Sequence, residues 1–386
     1  MLAFTHYLTD ARVRREAEAL AARGDQVDLI CCRNKTLATK RVHNGVRLYP
    51  LRGLKYRGGS TIAYLFSYFI FFVKSSFLMS YLHLKNRYDV IQVHTMPDFL
   101  VFAASIPKLL GAKIILDVHD LMPELYMTKF ETDQNHKLIR FIRWVETRSI
   151  AFAHKAIAVN VPHRDILVEH GNPKDKFTIL LNLPDPAIFD RSENVQRISD
   201  GKFRLIFHGI IAKRQGLDIA IRAVGKARKD VPNIEFSIIG VGGDRDRLVG
   251  MVDEMGLNDC IRFSDGTIPL EEVPLRIKQA DIGMVPILND SFTRYGLPVK
   301  VLEYVGLGIP VISSRTPTLE FYFDESMLKY FEAGDETELA GHIIDLYRHP
   351  KKRKLLISNA DRFNEEFNWD RQRVEYYNLV DSLCSN

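Results

Sequence analysis

Two rounds of alternation between short apolar runs and helix-like stretches constrain this chain more than any other feature, and one segment that fits neither pattern separates them. In the first round, residues 2–4, 26–32, 90–94, 113–118 and 156–159 read as strands, while 10–23 and 99–110 carry apolar residues at helical spacing. The helix over 10–23 is marked at both ends. Asp10 can accept from the first free backbone N–H groups, Val13, Ala17 and Leu20 form one stripe, and Gly24 ends it. The break is Leu-Leu-Asn-Leu-Pro-Asp-Pro over 180–186, followed by the polar stretch 191–201. The second round has strands at 204–207, 235–239, 261–263, 282–285 and 311–313. Its helices cover 217–228 and 245–255, start again at 299, and continue in a long helical C-terminus. Strands alternating with helices require right-handed crossovers and hence parallel sheets. At 386 residues the chain exceeds one ordinary core. We expect an α/β protein with domains at 1–185 and 186–366. Residues 367–386 would form a last helix, near 369–383, that crosses back to the first domain.

A net charge of +5 suits anionic small molecules or an anionic membrane surface, and is too small to argue for nucleic acid. Cys31, Cys32, Cys260 and Cys384 show no C-x-x-C spacing, which predicts a reducing compartment with no disulfide framework and no zinc site. Met1 runs straight into Leu2-Ala3-Phe4, with no basic region and no cleavage site, so no secretory signal is expected. Residues 62–84 are rich in Phe and Tyr, with apolar residues on all sides of a helix. Lys74 and several serines argue against a membrane span. Two readings stay open. One is a buried core helix. The other is an interfacial helix with Phe71 and Phe72 toward lipid and Lys85 and Arg87 at the headgroups.

The most informative stretch is 295–312, which reads loop, helix, glycine stop, buried strand. A helix starting at Pro298 or Val299 points free N–H groups out of its first turn, an arrangement that attracts a diphosphate. Glu303 lies about one turn further in, where a carboxylate can accept both hydroxyls of a ribose, and Lys300 shares that face. On spacing alone, a surface ion pair between Lys300 and Glu303 explains the pattern equally well.

This stretch resembles the donor-binding segment of retaining glycosyltransferases of the GT-B fold, the large group called family 4. There the segment runs Pro-x-Lys-x-x-Glu-Tyr and then Gly-x-Pro-Val-Ile, as it does here from Pro298 to Ile312. Residues 10–20 look like the family's first helix, 116–124 like its His-containing loop, 207–218 like the loop opening its second domain, and 367–369 like its closing signature. The resemblance covers nearly the whole chain. It implies two Rossmann-like domains facing each other across a cleft and a nucleotide-diphosphate sugar as donor. The acceptor would be a saccharide or lipid-linked saccharide, in bacterial surface polysaccharide or glycolipid assembly. It further implies retention of anomeric configuration, no metal or other cofactor, and a cytoplasmic protein peripheral at the inner face of the plasma membrane. Two rival readings are a nucleotide-sugar epimerase on the same architecture and a non-catalytic scaffold that binds sugar nucleotides.

The family also supplies site residues. His119 would contact the donor sugar, the alternative being a hydrogen-bonded structural histidine; His94 reads as structural and Asp98 as a helix cap. Gly209 opens a strand-to-helix loop in which Lys213 and Arg214 sit where two cations can straddle a pyrophosphate, the alternative being a solvated basic turn. The family places its Arg and Lys where this chain has Ile210 and Gln215. It also carries an earlier glutamate where this chain has Tyr295, so Tyr295 or the backbone near Leu297 would contact the sugar hydroxyls. The first strand has fewer apolar residues before Leu2 than related sequences do. Residues 240–245 form a weak dinucleotide-like turn. The segment 263–269, with Ile268, would line the base pocket.

Overall fold

The structure, a computed structural model, describes residues 1–33, 42–52 and 61–384, with side chains from residue 66 onward in the helix that starts at Thr61. It divides into two compact units. Residues Met1–Asn182 and Asp370–Asn386 form one, and Leu183–Trp369 the other, so the break falls at 182/183 rather than 185/186.

In the first unit, strands β1 (Asp28–Cys32), β2 (Val42–His43) and β3 (Val46–Leu51) run in the order β1-β3-β2. Strands β4 (Val90–His94), β5 (Lys113–Val118), β6 (Lys155–Ala158) and β7 (Phe177–Ile179) follow one another in parallel. The chain start joins the two sets. Leu2 bridges in parallel to Ile30 and to Val93, and its N–H and C=O bond Gln92 and His94 at 2.9 Å each. Asp10 caps the helix Ala11–Arg23 through the N–H of Val13, and Gly24 closes it in the left-handed region.

The expected helix over 99–110 is different. Asp98–Ala104 is a 3-10 helix, and only Ser105–Leu109 is α. Pro107 has no N–H for the carbonyl of Ala103, so α geometry cannot run through this stretch. Asp98 caps nothing. It is buried with Oδ1 unpaired, and burial, with Glu146 and Asp120 nearby, holds its carboxyl well above the usual range.

The aromatic helix is Thr61–Asn86. One face is core: Tyr68, Phe71, Met79 and Leu82 are buried, and Phe4 meets Tyr68 and Phe71 edge-on at 4.8 and 4.9 Å. Each such side chain contributes about 1.5–3 kcal/mol by leaving water. The opposite stripe, Phe66, Phe69, Phe77, Tyr81 and Leu84, is exposed. No helix among the described residues is long and apolar enough to cross a membrane. The last helix, Trp369–Cys384, packs on this unit: Tyr376 Oη donates to Gln92 at 2.5 Å, Tyr377 Oη to the carbonyl of Ala19 at 2.9 Å, and Arg23 pairs with Asp381 at 2.9 Å.

The second unit is one parallel sheet of β8 (Phe203–His208), β9 (Ile234–Ile239), β10 (Ile261–Phe263), β11 (Ile282–Val285), β12 (Val311–Ser314) and β13 (Lys329–Phe331), in the order β10-β9-β8-β11-β12-β13. Phe203, Leu205 and Phe207 of β8 and Phe236 and Ile238 of β9 pack against the helices Leu217–Ala227 and Glu336–Arg348. The chain leaves β8 toward β9 on one side, and β11 lies on the other. The strand order therefore reverses between β8 and β11. In open α/β sheets ligands bind outside the carboxyl ends of the strands at such a point.

Candidate functional site

The loops that follow β8 and β11 carry most of the residues picked out from the sequence. The first, 209–216, leaves β8 at Gly209, forms a short 3-10 turn over Lys213–Gln215, and enters the helix Leu217–Ala227 at Gly216. It lies directly on the 240–245 turn: Gly209 N–H donates to Ile239 O at 2.9 Å and Ile211 N–H to Val241 O at 2.9 Å. A Cβ on Gly240, whose φ is +147°, would overlap the carbonyl of Gly209, and one on Gly242 would overlap that of Ile211. The glycines of the dinucleotide-like turn therefore serve backbone approach between two loops.

From the other side, the helix Val299–Gly306 points its first turn at this loop. Pro298 caps it with no side-chain hydrogen bond, so the first N–H groups are offered outward. Lys300 is half-buried. Its Nζ donates to Gln215 Oε1 at 2.6 Å, sits 4.6 Å from the centre of the Phe207 ring, and is within van der Waals reach of the space above Gly209. Burial pushes the Lys300 ammonium down to about 8. Glu303 opposes this fall and Arg214 adds to it. Glu303 is 8% exposed, and its Oε2 lies 3.0 Å from His208 Nε2. Neither residue makes the surface ion pair that spacing alone allowed: Lys300 turns to Gln215 and Glu303 to His208. Arg214 stands over the Phe292 ring at 5.8 Å, and its carbonyl accepts from Leu288 N–H at 2.9 Å. Lys213 is exposed and Arg214 half-buried.

Gly209, Lys213, Arg214, Lys300, Pro298 and Glu303 thus gather at the β8/β11 switch. Leu297 and Tyr295 follow β11 in the same stretch, half-buried. Ile268 lies elsewhere, on the loop after β10, where it lines a cavity of about 570 Å³ with Phe263, Ser264 and Gly266. The sequence reading missed His208 and Gln215. The signals available were their positions, immediately before Gly209 and immediately before Gly216.

His119 belongs to the first unit, just past the end of β5. Its Nε2 lies 3.0 Å from Asp117 Oδ2, and His94 Nδ1 lies 2.9 Å from the same oxygen. His94 is buried, as a structural histidine should be, while the His119 side chain is 20% exposed. Two groups have ligand-like spacing, His94–Asp117–His119 and Glu124–Glu146–His170. In the first, Arg12 also pairs with Asp117. In the second, His170 bridges the two glutamates at 3.3 and 2.6 Å, and they push its imidazolium up to about 9 against the effect of burial.

Residues 9–182 match the family described as glycosyl transferase 4-like domain, and 189–363 match glycosyl transferases group 1. Among curated proteins, the chain is 26% identical to the O-antigen biosynthesis glycosyltransferase WclY of Escherichia coli over 312 residues, 78% of this chain and 81% of the relative. Among solved structures, a sucrose-phosphate synthase from Thermosynechococcus elongatus superposes with a TM-score of 0.77 at 18% identity, covering 100% of this chain and 98% of that one. Anabaena HepE in complex with UDP superposes with a TM-score of 0.72 at 14% identity, covering 99% and 98%. Both structures share the fold.

Proposed function

Because this chain belongs to the group 1 glycosyltransferases, with both domains of the GT-B fold, we infer that it moves a sugar from a nucleotide-diphosphate sugar to a saccharide or lipid-linked acceptor. The setting is bacterial surface polysaccharide or glycolipid assembly. The relatives are transferases, which gives the epimerase reading no support. One observation carries the donor assignment: a half-buried Lys300, without a carboxylate partner, faces the Gly209 loop beside a helix start whose N–H groups are open. A diphosphate there meets Lys300, Arg214, Lys213 and the first turn after Pro298. Glu303, 3.0 Å from His208, accepts the ribose hydroxyls. Tyr295 and Leu297 complete the donor contacts at this switch, and His119 touches the transferred sugar; Ile268, in the separate cavity after β10, is no part of this cluster.

The reaction retains configuration. The bond from C1 to the diphosphate oxygen breaks as the acceptor oxygen attacks the same face, and the acceptor proton passes to a leaving phosphate oxygen. The cations stabilise the charge that grows on that leaving group, so no metal is required. The test is a thermal-shift screen of nucleoside diphosphates and nucleotide sugars, in which a ligand at 100 times its Kd stabilises by about 2.7 kcal/mol. No shift with any of them overturns the donor assignment. With the donor known, the anomeric configuration of the product, read by NMR, tests retention, and activity in excess chelator tests metal independence.

The exposed stripe of Phe66, Phe69, Phe77, Tyr81 and Leu84, with Lys74, Lys85 and Arg87 exposed beside it, supports a peripheral contact with anionic membrane. Phe71 is core, so the residues to change are Phe77 and Tyr81, not Phe71 and Phe72. Binding to anionic vesicles should weaken when both become Ser; no binding at low salt by the unaltered protein sinks this contact.

A further inference from the structure

Asp117 is a buried carboxylate held by Arg12, His94 and His119. It is the next-to-last residue of β5, with no exposed surface, and three donors converge on it. Arg12 reaches both oxygens, with Nε 3.1 Å from Oδ2. His94 Nδ1 and His119 Nε2 approach Oδ2 at 2.9 and 3.0 Å. A carboxylate beside a guanidinium is ionised, and the Arg12 charge holds Asp117 well below the usual carboxylate range against the effect of burial. An imidazole lone pair at 3.0 Å from an ionised oxygen is repelled, so the histidine nitrogens facing Asp117 both carry protons, and they lie 3.2 Å apart because they share that one acceptor oxygen. Arg12 is itself held by Glu16 at 3.2 Å. Glu16 accepts from Gln92 at 2.7 Å, and Gln92 accepts from Tyr376 on the last helix at 2.5 Å. Both histidines line a cavity of about 160 Å³ shared with Thr5, Asp10 and Asp120, and His119 is the more exposed of the two, its side chain 20% exposed against 1% for His94.

We propose that Asp117 is a positioning residue for His119: it fixes the ring with its proton on Nε2 and turns Nδ1 outward, toward an oxygen of the transferred sugar. This rests on the reading that His119 contacts that sugar. The charged and titratable groups facing His119 are Arg12 and Glu16 from the helix Ala11–Arg23, Asp10 at its cap, Asp117 and His94 at the strand ends, Asp120 in the loop, and His163 from the helix Val161–Glu169. Burial opposes the His119 imidazolium, Asp117 outweighs it, and the His119 pKa is raised.

The test is ¹⁵N NMR of the histidine-labelled full chain, combined with kinetics. In the unaltered protein, His119 should keep its Nε2 proton throughout and titrate above 6.5. The opposite tautomer, or titration below 6.5, overturns the proposal without any variant. In Asp117→Asn the His119 titration should move to lower pH. Its kcat should fall by about 10–100-fold, as losses of an orienting partner commonly do, with the donor KM changed less. Asp117→Glu should recover part of kcat. An unchanged His119 titration in Asp117→Asn overturns the positioning role whatever the activity. His119→Ala with unchanged turnover instead removes the sugar-contact reading and leaves the NMR result standing.

Discussion

With the diphosphate at Lys300, as proposed above, nucleotide binding should depend on pH in a calculable way. The Lys300 ammonium is held near 8 by burial, against an ordinary lysine value of 10.5. That gap corresponds to on the order of 3 kcal/mol of disfavour toward the charged form. A diphosphate placed against Nζ supplies the missing counter-charge and restores the ammonium toward its ordinary value, so binding above pH 8 must take up a proton. Uptake should be near zero at pH 7 and approach one proton at pH 9, and affinity should weaken about fivefold between pH 8 and pH 9. Isothermal titration with a nucleoside diphosphate, repeated in buffers of different ionisation enthalpy, reads both quantities. Lys300→Gln should bind more weakly and lose the proton uptake, since Gln215 would then face an uncharged amide. Equal affinity from pH 7 to 9.5 with no proton uptake would refute the placement of the diphosphate at Lys300.

Arg214→Ala should lower kcat by about 2.7–4 kcal/mol of transition-state stabilisation, because the charge it meets grows as the leaving group departs; a steady-state assay with unchanged kcat moves the role to Lys213 or Lys300. Glu303→Gln keeps the shape beside His208 but weakens acceptance from two hydroxyls, so nucleoside diphosphate affinity should fall while thermal melting is preserved; equal affinity would make Glu303 structural. His170 carries a pKa raised to about 9 in the folded chain against 6.5 otherwise. Its contribution is therefore complete below 6.5 and is lost as pH rises through 9, on the order of 3 kcal/mol in all. His170→Gln should melt at lower temperature at pH 6 and converge on the unaltered protein near pH 9.5; a constant difference across that range refutes the Glu124–His170–Glu146 ion pairs.

Local rules determined much of this protein from the sequence alone. Strand–helix alternation requires parallel crossovers, Asp10 and Gly24 bound the first helix, and a proline followed by Lys300 and Glu303 marks a helix start that can hold an anion. Those signals depend on neighbours within a turn or two, so they survive without a partner. The tertiary structure decided what depends on contacts distant in sequence. Spacing offered Lys300 and Glu303 to each other, and packing sent Lys300 to Gln215, 85 positions away, and Glu303 to His208 at the end of β8. Pro107 divided an expected helix into 3-10 and α pieces, and Asp98, instead of capping, is buried with Oδ1 unpaired. The aromatic helix kept an apolar pattern on all sides because one face meets Phe4 and the core, while only the fold shows which stripe is left to solvent. Arg12 and Asp117 are 105 positions apart and gave no signal in the sequence, because a buried charge pair has no periodicity and is defined only where two segments meet.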